Sequence, residues 1–521
     1  MNIFIKNHFE SHSTKPFLSF EDSEYSFAAV YQKAFSIAEK LKQIGLESGD
    51  RIIIRFWNEP DFIFAYFGVL LSGGIAVTVS PMLTQPELTK IQTHSGARLI
   101  LSFEDATISN KDTELHQISL EKLLNSLYFD SSINLLEKGN TNNVSKDLPQ
   151  DLAVLIYTSG TTASPKGVML TYANIKAQLN AAGKVLEINQ SDSLLGILSL
   201  SHVFGQMDVL WLALFYGLKI HLISKFEASH AIKTLREKEI SILIAVPTMY
   251  QLMLKYLDND IYSSNQFSKL RVCHSGASYM SPQLFQKVEK SFGAGVQEGY
   301  GLTETCSMAF SNPINGIRKP GSIGKPIEGV EMILLDENNN QIKKSSSEEN
   351  NEIGEICIRG QIVTEGYFGS PEETQKAFFT ETEHKDLWLR TGDLGFLDKD
   401  GYLFLVDRKK DLIVHSGHKV YPREVEEVLE KHPLVDQVAV IGVLAGELHG
   451  EKIKAFVVLK NRDPNNKILS DEQKDQLKIE LKNFCKKELA KFKVPNFFEF
   501  IDEIPKTPSG KLKRLELRNK K

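Results

Sequence analysis

The sequence predicts an α/β protein in which a large N-terminal domain, made of two parallel α/β subdomains and a small β-rich subdomain, precedes a small α+β C-terminal domain. Three observations predict this class. Apolar strand patterns alternate with helical patterns through the first half, short strands and turns dominate from about Gly324, and a unit of about 115 residues follows Val406, within ordinary domain size. Apolar strands separated by helices are typical of parallel sheets covered on both faces. We therefore predict domains at 1–406 and 407–521.

The first half supplies the two parallel subdomains. RIIIRF at 51–56 is a short β-branched run, and a helical pattern begins near Asp61. After a polar segment at about 103–150 the alternation resumes, with a Gly-rich loop and a helix that begins near Thr171. The strand and helix patterns in this half are, in order, RIIIRF, IAVTVS, TQPELTKIQTHSG, ARLILS, LAVLIYTS, LKIHLIS, LREKE, SILIAVP, TMYQLMLKYL and LRVCHSGAS.

The second half has a different texture. VEMILLD, GEICIRG and GYLFLVD are short strand patterns separated by turn residues, and the polar stretch 336–352 is predicted as an exposed hairpin loop. In the C-terminal domain, YPREVEEVLEKH is predicted as a helix because Pro422 suits the first helical position. Two strand patterns, VDQVAVIGV and EKIKAFVVLK, and the helix SDEQKDQLKIELKNFCKKEL follow before a basic tail.

Composition and charge exclude several classes of protein. The 521 residues carry a formal net charge of −5, without the concentrated basic face typical of nucleic-acid-binding proteins. The cysteines are far apart, which excludes a zinc ribbon or a disulfide framework and fits a reducing compartment. The N-terminal MNIFIKNHFE lacks the apolar core of a signal peptide, so we expect a cytoplasmic protein.

Two apolar stretches are predicted as buried helices and not as membrane spans. The first, 62–81, is interrupted by Gly73 and Gly74, which favour the end of a helix. The second, 202–217, contains Gln206 and Asp208 and is too short at ~1.5 Å per residue for a ~30 Å bilayer core. Peripheral contact with a membrane and the oligomeric state stay open.

YTSGTTASPKGVMLTYAN at 157–174 carries the strongest local signal for chemistry. Small residues let backbone N–H groups approach phosphate oxygens, hydroxyls add donors, and Lys166 adds a cation. The spacing is not that of a Walker loop, since Pro165 stands where glycine is needed and Gly167 where Ser or Thr is needed. Taken alone, such a loop is more often an ordinary connection.

The loop resembles the phosphate-binding signature of the adenylate-forming superfamily, which includes acyl-CoA synthetases, luciferases and peptide-synthetase adenylation domains. Six further stretches resemble this family's signatures, in the same order: SLSHVFG (199–205), SGAS (275–278), EGYGLTE (298–304), TGDLG (391–395), DRKKDLIVHSGHKVYPREVE (407–426) and PKTPSGK (505–511). The resemblance covers the chain from about residue 20. It implies an ATP-dependent ligase that joins a carboxylic acid to AMP and then to a thiol, with Mg²⁺ and CoA.

The resemblance implies roles in binding ATP. Glu304, with Thr303 beside it, would hold Mg²⁺, and Tyr300 would stack on adenine opposite Gly276 and Ala277, near Gly301. Outside this context Glu304 would be read as a surface acid. The leaving β- and γ-phosphates would be held by Thr158, Ser159, Gly160, Thr161, Thr162 and Lys166.

The resemblance also implies roles near the C-terminus. Asp393 would bind the ribose hydroxyls and Arg408 the ribose or a phosphate, although a turn Asp and a solvated Arg are the plain alternatives. Lys511 would be catalytic, bridging the acid's carboxylate and the α-phosphate, where an ordinary tail lysine is the alternative. A mobile C-terminal domain would turn about Lys410 between the two steps and bring the backbone at Gly417 to the CoA tunnel.

The acid is predicted to be a medium- to long-chain fatty acid, because 298–300, RKPGSIGKP and VDRKKDLIV most resemble bacterial fatty-acid–CoA ligases. Glycines at 299 and 301 would leave space for it, and the sequence shows no Asp poised for an ammonium group. His202 could gate the carboxylate, though a satisfied, half-buried histidine is nearly as plausible. The residues predicted to contact the acid are His202, Tyr250, Gly276, Gly299, Gly301 and Ala309.

Departures from the family pattern leave alternatives open. Ala163 replaces a glycine, Lys419 stands where Asn is common, and SLSH replaces PLFH. One alternative is a fatty-acyl-AMP ligase that loads an acyl carrier protein, although the 30 residues between Gly360 and Thr391 leave little room for the insertion usual in such ligases. The other is a catalytically silent paralogue that binds acyl or nucleotide ligands.

Overall fold

A computed structural model describes residues 2–110, 113–125, 148–158, 165–258, 267–342, 352–380, 387–415, 417–444, 451–460, 470–506 and 512–519. The chain divides into two compact units. The first comprises 1–332 and 358–389, and the second 333–357 and 390–521. The chain passes from one unit to the other at three points, and each point lies within a β-strand. Our predicted domain boundary at 407 stays a prediction.

The helices of the first unit cover sheets, and sequence signals set their ends. Ser26, Thr171 and Ser281 each cap a helix by accepting a backbone N–H bond. A π-helix, Gln206–Trp211, interrupts the second apolar stretch. The helices of this unit are α1 (Asn2–Ser11), α2 (Phe27–Gln43), α3 (Pro60–Ser72), α4 (Gln85–Ser95), α5 (Leu120–Asn125), α6 (Tyr172–Val185), α7 (Val203–Gly205), α8 (Leu212–Tyr216), α9 (Ala228–Glu237), α10 (Pro247–Asp258), α11 (Pro282–Phe292) and α12 (Pro371–Ala377).

The strands of the first unit up to residue 326 form two mixed sheets. They are β1 (Pro16–Phe20), β2 (Ser23–Ser26), β3 (Arg51–Arg55), β4 (Ile75–Thr78), β5 (Leu99–Ser102), β6 (Ala106–Asn110), β7 (Thr113–Ile118), β8 (Leu152–Thr158), β9 (Lys166–Thr171), β10 (Ser193–Gly196), β11 (Lys219–Leu222), β12 (Ile242–Ala245), β13 (Val272–Ser275), β14 (Gly295–Leu302), β15 (Ser307–Ser311) and β16 (Lys325–Pro326).

Both sheets have a parallel centre and antiparallel edges. One has the order β6-β7-β5-β3-β4-β8-β9, with β8 and β9 antiparallel at one edge. The other has the order β16-β15-β14-β13-β12-β10-β11-β1-β2, with β14 and β15 antiparallel. In the parallel centres, strands such as β4 and β12 are buried along their whole length, as strands covered on both faces should be.

The remaining strands lie after the point where the sequence changes to short strand patterns separated by turn residues. They are β17 (Val330–Leu335), β18 (Gly354–Gly360), β19 (Phe378–Thr380), β20 (Leu387–Leu397), β21 (Leu403–Arg408), β22 (Ile413–His415), β23 (His418–Val420), β24 (Val435–Leu444), β25 (Glu451–Leu459) and β26 (Phe497–Phe500). In the second unit, β24, β25 and β26 form a sheet whose core also contains residues of α13 (Pro422–Glu430) and α14 (Asp471–Glu488). Its last helix is α15 (Arg514–Asn519).

The predicted α/β fold class is confirmed, with one local difference. The helix after the Ser/Thr/Gly loop begins at Tyr172, as predicted, but β9 precedes it, where only a loop was expected. Val168 and Leu170 in KGVMLT are buried in the sheet beside β8, which explains the extra strand. None of the helices in the described parts of the chain combines the length and apolar character needed to cross a bilayer.

Candidate active site

The strands on either side of the Ser/Thr/Gly loop are adjacent and antiparallel. β8 ends at Thr158 and β9 begins at Lys166, and these two residues are paired in the sheet. Of Thr158 only the backbone is described. The described backbone thus brings the two ends of the loop together and places Lys166 at its base. Outside the described residues lie Ser159, Gly160, Thr161, Thr162 and Ala163.

Lys166 lies between a carboxylate and an aromatic ring. Its Nζ is 2.5 Å from Glu373 Oε2 on α12 and 5.3 Å from the centre of the Tyr367 ring. Hydrogen bonds from Lys166 and then from Lys376 lower the pKa of the Glu373 carboxyl to about 2. Glu373 therefore compensates the charge of Lys166, and phosphate oxygens arriving at the loop would compete with it for this cation.

Glu304 lies in a short 3-10 turn, Thr303–Thr305, between β14 and β15. The hydroxyl of Tyr367 donates a hydrogen bond to Glu304 Oε1 at 2.8 Å. Burial, and then the charge of Glu304, raise the pKa of that hydroxyl, so it remains a donor. Tyr367 therefore contacts both predicted charges, because its ring faces Lys166 and its hydroxyl binds Glu304.

Residues 364–368, which we call the bracket, connect the Glu304 turn to β9. The backbone N–H of Thr364 donates to the Glu304 carbonyl at 2.8 Å. Two further backbone bonds reach β9, from Met169 N–H to the Gly366 carbonyl at 3.1 Å and from Phe368 N–H to the Gly167 carbonyl at 2.8 Å. The bracket thus fixes the Glu304 turn relative to the strand that carries Lys166.

The side chains at Glu304 suit a Mg²⁺ ion that takes some of its ligands from a bound substrate. Mg²⁺ in phosphate-handling sites takes one or two carboxylates together with phosphate oxygens and water. Glu304 offers one carboxylate, and Tyr367 uses only part of its acceptor capacity. In the described parts of the chain, His, Cys, Asp and Glu side chains form no group of three or more that could hold a metal ion.

The residues predicted to bind adenine lie at the carboxyl ends of two neighbouring parallel strands. Gly276 and Ala277 directly follow β13, and Tyr300 lies in β14, beside it in the sheet. Ala277 has a φ of 67°, in the left-handed region that is strained for alanine. Ligands of open α/β sheets bind at this end of the strands, so the placement fits a nucleotide-binding edge.

Gly299 and Gly301 are both needed for close packing. A Cβ on Gly301 would lie 1.5 Å from the carbonyl oxygen of Ser307 on β15. A Cβ on Gly299 would lie 2.8 Å from the ring of His274 and 3.1 Å from the Phe310 carbonyl. Residues of β15 and the ring of His274 therefore occupy the space next to the Cα atoms of these glycines, where the sequence predicts room for the acid.

The other residues predicted to contact the acid differ in burial. His202 is half-buried just before α7, whereas Ala309 is fully buried in β15. Tyr250 is also fully buried, and its hydroxyl donates within 3.0 Å to the carbonyls of Leu243 and His274. This placement favours a structural role for Tyr250 over the predicted contact with the acid.

In the second unit, Asp393 and Arg408 are opposite each other on β20 and β21. Arg408 Nε lies 3.2 Å from Asp393 Oδ1, and Asp393 is buried while Arg408 is 42% exposed. The pair is in register because β20 and β21 form a hairpin through a turn at 398–402. A buried carboxylate with an exposed guanidinium beside it suits recognition of adjacent hydroxyl and phosphate groups.

The predicted hinge and CoA segments also lie in the second unit. Lys410 is in a 3-10 turn directly after β21, where burial, and then Arg408, lower the pKa of its ammonium group. Gly417 has a φ of 78° between β22 and β23, and a Cβ there would contact nothing within 4 Å. Lys419 pairs with Glu337 of the same unit. Lys511 lies outside the described residues.

Sequence reasoning missed the bracket and Glu373. Thr364 and Tyr367 follow Glu304 by 60 and 63 residues in the chain. No local sequence pattern therefore connects them to Glu304. Glu373 lies in PEETQKAF, which reads only as an ordinary helix start with Pro371 at its first turn. The sequence GYF, in which an aromatic residue follows glycine within a predicted β-rich region, is the signal that could have pointed to Tyr367.

Two family models match this chain. Residues 5–368 match the model for AMP-binding enzymes, and residues 424–511 match the model for the AMP-binding enzyme C-terminal domain. Together these ranges include the loop, Glu304, the bracket and the segment up to Lys511.

Individual proteins are also similar over nearly their whole length. The long-chain-fatty-acid–CoA ligase of Bacillus subtilis is 32% identical, over 96% of this chain and 91% of that protein. The oxalate–CoA ligase of Arabidopsis thaliana is 32% identical, over 90% of this chain and 88% of that protein. The solved structure of o-succinylbenzoate coenzyme A synthetase from Bacillus subtilis, in complex with ATP and magnesium, matches with a TM-score of 0.79 at 27% identity, covering 99% of each chain.

Proposed function

This chain belongs to the AMP-binding enzyme family, and on that premise we propose that it is an ATP-dependent, AMP-forming acid–thiol ligase that makes acyl-CoA. The observation that carries the proposal is the connection of Lys166 to Glu304 through Tyr367 beside the Ser/Thr/Gly loop. Transfer of the adenylyl group from ATP requires a cation and a carboxylate able to bind Mg²⁺, both next to a phosphate-binding loop.

In the first step, an oxygen of the acid's carboxylate bonds to the α-phosphorus of ATP. The bond from that phosphorus to the bridging oxygen breaks, and pyrophosphate leaves with the electron pair. Glu304 would hold Mg²⁺, which would supply charge neutralisation at the phosphates when bound. Lys511 would bridge the two reacting anions. The departing phosphates would be held by Thr158, Ser159, Gly160, Thr161, Thr162 and Lys166.

Further residues are proposed to orient the nucleotide. Tyr300 would stack on adenine, with Gly276 and Ala277 on its other face, and Thr303 would support the Mg²⁺ site beside Glu304. Asp393 and Arg408, paired at 3.2 Å, would bind the ribose and a phosphate. Holding both reactants in one geometry removes much of the entropic part of the barrier.

In the second step, the sulfur of CoA bonds to the acyl carbon and the bond to AMP breaks. AMP leaves, and the thiol proton passes to solvent. We place the hinge between the two steps at Lys410, and the backbone around Gly417 at the pantetheine tunnel. The left-handed φ of Gly417 and the open space at its Cα suit a close approach by a narrow ligand.

We infer that the acid is a medium- to long-chain fatty acid. The support is the resemblance of 298–300 to bacterial fatty-acid–CoA ligases and the rings near Gly276 and Gly299. A Cβ on Gly276 would lie 3.2 Å from the Phe204 ring, and burial lowers the pKa of His274 to about 4, so the imidazole is neutral at pH 7. Neutral and apolar groups in this region favour an apolar acid over a dicarboxylate.

The experiment is acid-dependent pyrophosphate release with ATP and Mg²⁺ over C4–C18 fatty acids, cinnamate, oxalate and malonate, each with and without CoA. We expect turnover that requires CoA and is highest with one of the fatty acids. A single burst that CoA does not extend, but that an acyl carrier protein does, would favour the carrier-loading alternative. Oxalate or malonate as the best acid would contradict the fatty-acid proposal.

Replacing Tyr367 should weaken the use of Mg²⁺. Tyr367→Phe keeps the ring near Lys166 and removes the bond to Glu304, and a hydrogen bond to a charged group contributes about 1.5–3 kcal/mol. We therefore expect a loss of roughly tenfold or more in kcat/KM, measured by pyrophosphate release across a Mg²⁺ titration. Tyr216→Phe is the matched control, since its hydroxyl donates to the Leu179 carbonyl. Equal kinetics for the two variants would contradict the role of the Tyr367 hydroxyl.

A further inference from the structure

A buried carboxyl group lies beside the end of the turn that carries Glu304. Asp208 is fully buried in the π-helix Gln206–Trp211 and accepts a hydrogen bond from the hydroxyl of Ser307. Ser307 is the first residue of β15, the strand that directly follows the turn. The contact therefore joins the π-helix to the point where the chain leaves the Glu304 turn, and π-helices are frequent at functional sites.

The backbone at this point is strained. Cys306 has a φ of 54° and Ser307 a φ of 102°, so two consecutive non-glycine residues are in the left-handed region. Such conformations persist only where the surrounding structure holds them. Two bonds of Thr305 act within the turn, since its hydroxyl donates to the Ser307 carbonyl at 2.9 Å and accepts from the Leu302 N–H at 2.8 Å.

Within the described residues, the carboxyl group of Asp208 contacts Ser307 from outside the turn and its strands, and its hydrogen-bonding partners are uncharged. Among the described residues, the hydroxyl of Ser307 and the amide of Gln178 face Asp208, and the buried thiol of Cys306 is a titratable neighbour. With its side-chain oxygen and nitrogen assigned so that both are satisfied, Gln178 pairs with both backbone groups of Met308, at 2.8 and 3.1 Å. Burial raises the pKa of Asp208 to about 7.

We propose that Asp208 is a positioning residue, which through Ser307 holds the strained end of the turn and so presents the Glu304 carboxylate to Mg²⁺. The proposal rests on the Mg²⁺ role given to Glu304 in the proposed function. Asp208 itself touches neither nucleotide nor acid in this account. Its effect is transmitted by one hydroxyl group, so removing that hydroxyl should loosen the turn without removing any ligand of the ion.

The test compares Ser307→Ala with Ser311→Ala. Both serines are buried in β15, but the Ser311 hydroxyl donates to the Asn312 carbonyl and has no part in the turn. We expect Ser307→Ala to raise the half-saturating Mg²⁺ concentration roughly tenfold, as the loss of groups that orient a metal ligand typically does. Ser311→Ala should leave it unchanged. Thermal melting of both variants checks that each is folded.

Asp208→Asn provides the conservative variant. Its amide oxygen can still accept from Ser307, so the half-saturating Mg²⁺ concentration should stay within about threefold of the parent value, since the hydrogen bond is kept. The folded parent holds the Asp208 proton up to about pH 7, while the unfolded chain releases it near pH ~4. Stability therefore falls as pH rises between these values, and Asp208→Asn should melt higher than the parent at pH 8.

Three results would overturn the proposal or its premise. If Ser307→Ala has the same Mg²⁺ dependence as Ser311→Ala, the hydroxyl bond does not position the turn, whatever the role of Glu304. If Glu304→Gln, measured in parallel, leaves the Mg²⁺ dependence unchanged, the premise from the proposed function fails instead. An Asp208→Asn variant that needs as much Mg²⁺ as Ser307→Ala would also contradict a role carried by the hydrogen bond.

Discussion

The Lys511→Ala variant is expected to release pyrophosphate about 10²–10³-fold more slowly than the parent enzyme, the usual loss when one charge-stabilising group is removed from a reacting centre. The reacting groups are a carboxylate and the α-phosphate, both anions. A lysine between them offsets their repulsion and the charge that develops on the phosphate oxygens. The same variant should convert a preformed acyl-adenylate and CoA to acyl-CoA at close to the parent rate, because the thiol step does not use this lysine.

Lys513→Ala is the control for this prediction. Lys513 lies two residues further along the same segment, and its Nζ pairs with Glu516 at 2.7 Å on the surface. It removes an equal charge nearby without removing the group predicted to react. If Lys511→Ala forms acyl-adenylate normally, or if Lys513→Ala is impaired as strongly, the assignment of Lys511 is wrong.

The second large effect is expected at Glu304. Glu304→Gln keeps the shape of the side chain and an acceptor for Tyr367 but removes the negative charge. We expect acid-dependent pyrophosphate release to fall about 10²-fold at fixed Mg²⁺, because a neutral amide is a poor ligand for this cation. The measurement is the initial rate over a Mg²⁺ titration, which separates weakened metal binding from a slower chemical step.

Glu365→Gln is the matched control for Glu304. Glu365 is an exposed residue of the bracket, so the substitution changes the same charge close by in the chain without reaching the turn. It should have parent-like Mg²⁺ dependence. A Glu304→Gln variant with parent activity and an unshifted Mg²⁺ requirement would contradict the proposed metal site, and with it the proposed role of Tyr367.

Local chemistry in the sequence was sufficient for most of the fold. Apolar runs such as RIIIR and ILIA become buried strands, and helices begin where capping residues or prolines predict, as at Thr171 and Pro422. The strand β9 was missed because KGVMLT follows a loop signal, and its partner β8 determines its structure more than its own pattern does. Pairing between strands depends on neighbours that a local window does not contain.

Site residues that stand in sequence motifs could be predicted. Those that only the folded chain brings to the site could not. Lys166, Glu304 and Asp393 stand in motifs, so the resemblance pointed to them. Tyr367 could not be found this way, since only the folded chain brings its hydroxyl to Glu304. For Tyr250 the fold adds a fact that the sequence did not contain, because its hydroxyl is bonded to two backbone carbonyls inside the core, which favours a structural role over the predicted contact with the acid.

Buried polar groups are the hardest to interpret from sequence. Asp208 counted in the sequence only as evidence against a membrane span, because an isolated Asp in an apolar helix does not reveal its partner. Its partner Ser307 lies 99 residues away. The cost of burying a carboxyl group without partners implies that some partner exists, but only the packing of the π-helix against β15 identifies it.

The most direct test of the central claim is the product balance of one reaction, with the parent enzyme, ATP, Mg²⁺, a fatty acid and CoA, followed by phosphorus NMR and by chromatography of the thioester. An AMP-forming acid–thiol ligase should produce AMP, pyrophosphate and acyl-CoA in equal amounts, with acyl-AMP accumulating when CoA is omitted. Formation of ADP and phosphate, or thioester without AMP, would contradict the account.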